Sequence, residues 1–126
     1  LLFKTYKLLT MIDLQKEYDY CWAIFHQQFP YLRKPILQIR SLKKAWGSCN
    51  EKRIVLNKNL ERANVLFVRH VVFHEMCHLL YHNHKREFYD LLKRFDPMQQ
   101  IENEHLNSRV EALKKRVEAL KNKQDE

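Results

Sequence analysis

His74, Glu75 and His78 stand in the order HExxH, spelled His74-Glu75-Met76-Cys77-His78. On a helix, residues four apart share a face, so both imidazoles can reach a single ion. Zinc accepts neutral imidazole nitrogen at about 2.0–2.1 Å. Glu75 lies one step round the helix. From there it can hydrogen-bond a water at the metal and act as general base without being a ligand. Hydrolysis at zinc needs that division of labour. So short a pattern also arises by chance, but its context is specific. The flanks are VVF before and LL after, which bury the helix. Two histidines and a glutamate on a buried helix are costly polar groups, and an ion satisfies them.

A hydrolytic zinc site takes a third protein ligand. The candidates are His70, His82, His84 and Glu87. A straight helix rises about 1.5 Å per residue, so His70 and His82 each lie a full turn from the nearer histidine and two from the farther. Three consecutive turns cannot converge on one ion. The third ligand is therefore expected after the helix breaks. Asn83 is the natural breaker, because Asn tolerates the left-handed conformation at a helix end. His84 follows it directly and is assigned as the third ligand, with Glu87 in reserve. His70 and His82 are expected around the ligands or at the surface. An oxyanion stabiliser is also needed, for which His70, His82 and Tyr81 are candidates.

Several elements must position these groups. The pattern DLQKEYDYCWAIFHQQF predicts a helix over 13–29, capped by Asp13 and ended by Pro30, with Leu14, Tyr18, Cys21, Trp22 and Phe25 on one face. ILQIRSL reads as a strand, AWGSCNEKR as a turn or irregular crossing, and RIVLN (53–57) as a second strand antiparallel to the first. Residues 63–82 are apolar on nearly every face, which predicts a buried central helix. A further helix over 85–95 stops at Asp96-Pro97, and the tail from Ile101 is helical again. The chain is therefore read as α+β, with a catalytic domain at 1–98 and a helical tail at 99–126. Trp46 and Cys49 are expected to pack, Gly47 to permit a tight bend, and Cys77 to point into the core. Cys49 as a second ligand or redox switch is the alternative.

Two blocks resemble the YgjP-like, SprT-related zinc metallopeptidases. One is ILQIRSLKKAWGSCNEKRIVLNKNL, residues 36–60, with its Trp-Gly-Ser-Cys turn. The other is VVFHEMCHLLYHNHKREFYDLLKRFDP, residues 71–97. The likeness implies a compact zincin-like α+β fold with a small antiparallel sheet beside the HExxH helix. It also implies peptide-bond hydrolysis by one zinc per chain. By position it makes His74, His78 and His84 the ligands and Glu75 the base. The substrate would be a peptide or protein, and residues 46–57 could offer it a strand edge. Set against that resemblance, the sequence is expected to be without most of the longer N-terminal β region common in such proteins, and the likeness read here ends at residue 98. The metzincins share the spacing from His74 to His84 but have Gly where this chain has Tyr81. Thermolysin-like enzymes take a distant Glu, for which Glu102 or Glu104 is a weak candidate.

The charge suggests a rival. The net charge is +8, and residues 31–60 hold eight bases (Arg33, Lys34, Arg40, Lys43, Lys44, Lys52, Arg53, Lys58) against one acid, Glu51. The alternative function is a non-catalytic, zinc-stabilised module gripping nucleic acid or an acidic protein through this segment. Three cysteines, an odd count with wide spacing, argue against a disulfide framework. No run is long enough to span a membrane, and no signal peptide is read in the first twelve residues. Reduced cysteines then point to the cytoplasm. The tail repeats RVEALKK as RVEALKN, and Leu106, Val110, Leu113, Val117 and Leu120 recur at coiled-coil spacing. A helical partner or self-association through 106–120 is expected, unless the segment is a solvated helix.

Overall fold

A computed structural model of the chain describes residues 11–124, without the side chains of 100–105 and 123–124. Most of the twelve residues read against a signal peptide lie outside that range, as do the side chains of Glu102 and Glu104.

Helix α1, Leu14–Gln28, starts where the Asp13 carboxylate accepts the Lys16 amide at 3.1 Å. Leu14, Tyr18, Cys21, Trp22 and Phe25 are buried as their spacing predicts. The Tyr18 hydroxyl donates to the Pro35 carbonyl and ties α1 to the next strand. Arg69 Nε donates to Glu17 Oε2 at 2.8 Å and ties α1 to the central helix.

The sheet differs from the expected antiparallel pair. Strands β1 (Ile36–Arg40) and β3 (Arg53–Asn57) do pair, but in parallel. A third strand, β2 (Gly47–Cys49), lies within the segment read as a turn, and it pairs antiparallel with β3 to give the order β1-β3-β2. The tight turn therefore joins β2 to β3, where Asn50 Oδ1 accepts the amides of Lys52 and Arg53 at 2.9 and 2.8 Å. The segment from β1 to β2 crosses β3 and is held by buried Asn57. Its Nδ2 donates to the carbonyls of Leu42 and Ala45 at 3.0 and 2.9 Å. Its Oδ1 accepts the Asn59 amide, which starts a short 3-10 turn, Lys58–Arg62.

Helix α2, Val65–Cys77, is capped by Asn64 and is buried on most sides. It is shorter than the apolar run predicts. After Cys77 the amides of His78, Leu79 and Leu80 bond three residues back rather than four, to Glu75, Met76 and Cys77. The tightened turn ends the helix before Asn83 is reached. Helix α3, Arg86–Phe95, buries Phe88, Leu91, Leu92 and Phe95, the face that their spacing predicts. Helix α4, Pro97–Gln124, begins four residues before the expected Ile101. Asp96 makes the junction: its amide closes α3 on Leu92, and its Oδ1 accepts the Met98 amide at 3.0 Å.

Candidate metal centre

His74 comes from the last turn of α2, His78 is the residue that caps its C-terminus, and His84 comes from the connection to α3. One ligand nitrogen from each lies within 4.8 Å of the other two. The Nε2 atoms of His74 and His84 are 3.2 Å apart. Two nitrogens about 2.0–2.1 Å from a tetrahedral ion stand roughly 3.3–3.4 Å from one another, so the spacing fits a shared ion. His78 Nδ1 lies 3.0 Å from the Tyr81 carbonyl oxygen. An N–H there donates to the carbonyl, which leaves Nε2 with the lone pair. The tightened turn after Cys77 is what brings that carbonyl to the ring.

The electrostatics favour the ligand form of the His74 and His78 rings. Burial holds His74 down to about 4, helped by repulsion from His78, His84 and His70. Burial also lowers His78. A ring that stays neutral has its lone pair available to a cation.

Glu75 is 5% exposed. No hydrogen bond to its carboxylate is found among the described residues, and burial pushes its pKa up to about 7. A charged carboxylate in so enclosed a place is costly for a purely structural residue, and groups shifted in this way cluster at functional sites. Gly47 in β2 packs directly on it. A Cβ at position 47 would meet Glu75 Cγ at 3.0 Å and the Val55 carbonyl oxygen at 3.1 Å. Among the described residues no glycine has a positive φ, so Gly47 serves close approach rather than the expected bend. Exchange of Gly47 for alanine is expected to cost about 1–3 kcal/mol by overpacking. By displacing Glu75 it should also slow any reaction that uses this carboxylate, by roughly tenfold to a hundredfold. A thermal melt and a rate measurement check both, and a fully active variant would count against this role.

Three features were not foreseen. Phe88 is fully buried, and all three imidazoles rest against it, with ring centroids 4.9, 4.6 and 5.0 Å away for His74, His78 and His84. Its position four residues after His84 was the available signal. His70 Nδ1 lies 2.7 Å from Oδ2 of buried Asp96, a pairing that no local pattern signals. Trp46, Phe67, His70 and His74 form a row of neighbouring rings along α2, at centroid spacings of 5.4, 6.1 and 6.3 Å.

The remaining candidates lie elsewhere. Glu87 and Tyr81 line a separate cleft with Phe29, Leu80 and Arg94. His82 is exposed in the connection. Cys49 is outside the histidine group, and burial pushes its thiol up to about 12. Cys77 is buried, as expected. All eight bases of residues 31–60 are exposed, and Lys34 pairs with Asp19 at 2.6 Å. No helix among the described residues is long and apolar enough to cross a membrane.

A short sheet edge beside a helix that carries two of three clustered histidines defines a zincin-like metallopeptidase fold. The metallopeptidase zymogen jannalysin of Methanocaldococcus jannaschii has a similar solved structure. The TM-score is 0.57 at 17% sequence identity, over 77% of this chain and 97% of that one. The YgjP-like metallopeptidase domain family matches residues 13–109, and the chain belongs to that family. The match runs past residue 98, where the sequence resemblance was taken to end. No curated protein matches the chain.

Proposed function

We propose that the chain is a zinc-dependent peptidase in which His74, His78 and His84 hold one ion and Glu75 is the general base. The carrying observation is the three-imidazole group, with ligand nitrogens within 4.8 Å of one another, next in sequence to a largely enclosed glutamate whose pKa burial raises to about 7. Three neutral nitrogens suit zinc and leave a fourth position for chemistry. Bound there, zinc would polarise the scissile carbonyl and lower the pKa of water.

The chain's own residues do the rest. The Tyr81 carbonyl fixes the His78 tautomer, and Phe88 fixes the pitch of the three rings. Glu75 takes a proton from the attacking water and passes it to the leaving amine. Gly47 lets it stand against β2, the edge strand of the sheet. An extended peptide pairing with that edge would lie beside the histidines, so the substrate class is an unfolded segment of a peptide or protein.

Metal removal tests the reading. Purified protein should contain one zinc per chain by elemental mass spectrometry and hydrolyse an unstructured protein such as casein. Chelation should abolish hydrolysis, and zinc should restore it. Hydrolysis indifferent to chelation, or failure to take up zinc when it is offered, would overturn the assignment.

A further inference from the structure

Beyond the first turns of α4, the domain leaves an apolar seam uncovered. Leu106, Val110, Leu113, Val117 and Leu120 are 47% to 63% exposed. They recur at alternating steps of four and three, the a and d positions of a heptad with Val110 at a. Arg109 and Arg116 then occupy g, and Lys114 and Lys121 occupy e. The acids of this stretch, Glu111 and Glu118, stand at b, away from the seam, and Glu111 is 3.8 Å from Lys114. Both flanks of the seam are therefore basic.

That charge pattern selects the occupant. In a parallel pair of copies g would face e, and in an antiparallel pair g would face g and e would face e. Each arrangement sets base against base. The basic segment of the chain's own domain supplies no acidic complement either, since residues 31–60 carry eight bases and one acid. A helix with acids beside its apolar stripe has complementary charge on both flanks. We propose that α4 is the basic half of a heterotypic coiled coil whose partner is an amphipathic helix of another protein with acidic e and g positions. From Leu106 to Leu120 the seam spans only about 21 Å. A pairing so short is marginal without its charges, so it should be reversible and sensitive to salt.

The test uses the full chain and two labelled synthetic peptides of three heptads, with identical Leu and Val at a and d. One carries Glu at e and g, the other Lys. Fluorescence anisotropy should show binding of the Glu peptide alone. Raising salt from about 0.05 M to about 0.5 M should weaken that binding at least tenfold. The combined exchange Arg109→Glu, Lys114→Glu, Arg116→Glu and Lys121→Glu should swap the preference to the Lys peptide. The pair Leu113→Ser and Leu120→Ser keeps every charge and should lose binding, with helix content followed by circular dichroism. Three outcomes would overturn the proposal. The first is that the parent chain binds neither peptide. The second is that the serine pair binds as tightly as the parent, which would mean plain polyanion attraction and turn attention to nucleic acid. The third is that the chain sediments as a dimer without peptide, making a second copy the occupant.

Discussion

Exchange of Glu75 for glutamine is expected to leave the zinc content unchanged and to slow hydrolysis by about 10²–10⁴-fold, the range of general acid–base catalysis. The two side chains are nearly isosteric, and the amide cannot accept the proton. Glu75 as a whole is 5% exposed, and its carboxylate has no hydrogen bond to lose among the described residues. Replacing it by a neutral amide removes the cost of burying a charge, so the melting temperature should hold or rise. A dead but well-folded, zinc-loaded variant is the signature sought in parallel melts, metal analysis and rates. A rate within twofold of the parent would remove Glu75 from the chemistry. The same residue sets a pH limit. A base works only when deprotonated, and burial alone places its pKa at about 7. A bound dication favours the carboxylate and pulls that value down. Activity should therefore fall on acidification, with the acid limb at or below about 7.

Exchange of His84 for alanine should have the opposite signature, loss of the metal with retention of the fold. His84 is exposed in the connection between α2 and α3, and exposed substitutions usually change stability by about 0.5 kcal/mol or less. Two ligands would remain on one helix. Zinc affinity should drop more than about a hundredfold, beyond the roughly 10–100-fold loss typical of outer-shell partners. Competition with a metal-sensitive dye measures this directly. Glu87→Ala is the matched control, because Glu87 lines the separate cleft and should bind zinc normally. Full occupancy in the His84 variant would move the third ligand elsewhere.

The grouping of His74 with His78 was legible because helix periodicity is a local rule. His74 and His78 had to share a face, and His70 was too far along the axis to join them, whereas His82 lies off the helix in the connection. The helix end was harder to read. Leu79 and Leu80 continue the apolar pattern, yet their amides bond three residues back, so α2 stops at Cys77 rather than near His82. The sheet was misread for another reason. Two neighbouring strands suggest a hairpin, but GSC is too short to show alternation, and it takes the antiparallel place beside β3. Strand β1 is left to pair in parallel. Asp96 looked like a helix stop, which it is. Its second contact, with His70, joins residues 26 apart and depends on how α2 meets the α3–α4 junction. Gly47 was singled out for the wrong property, since what it avoids belongs to another element.

Phe88 carries a consequence for the life of the protein. The three imidazoles rest on a phenyl ring that is itself part of the core, so their arrangement is settled when the chain folds rather than when an ion arrives. Folding and metal uptake are then thermodynamically linked. An ion that binds the folded chain and not the unfolded one deepens the folded well by RT ln(1 + [L]/Kd), about 2.7 kcal/mol at a hundredfold excess over Kd. On the proposed zinc reading, scarcity of zinc would lower activity and also shorten the protein's survival against proteolysis. Its abundance would then follow the supply of that ion.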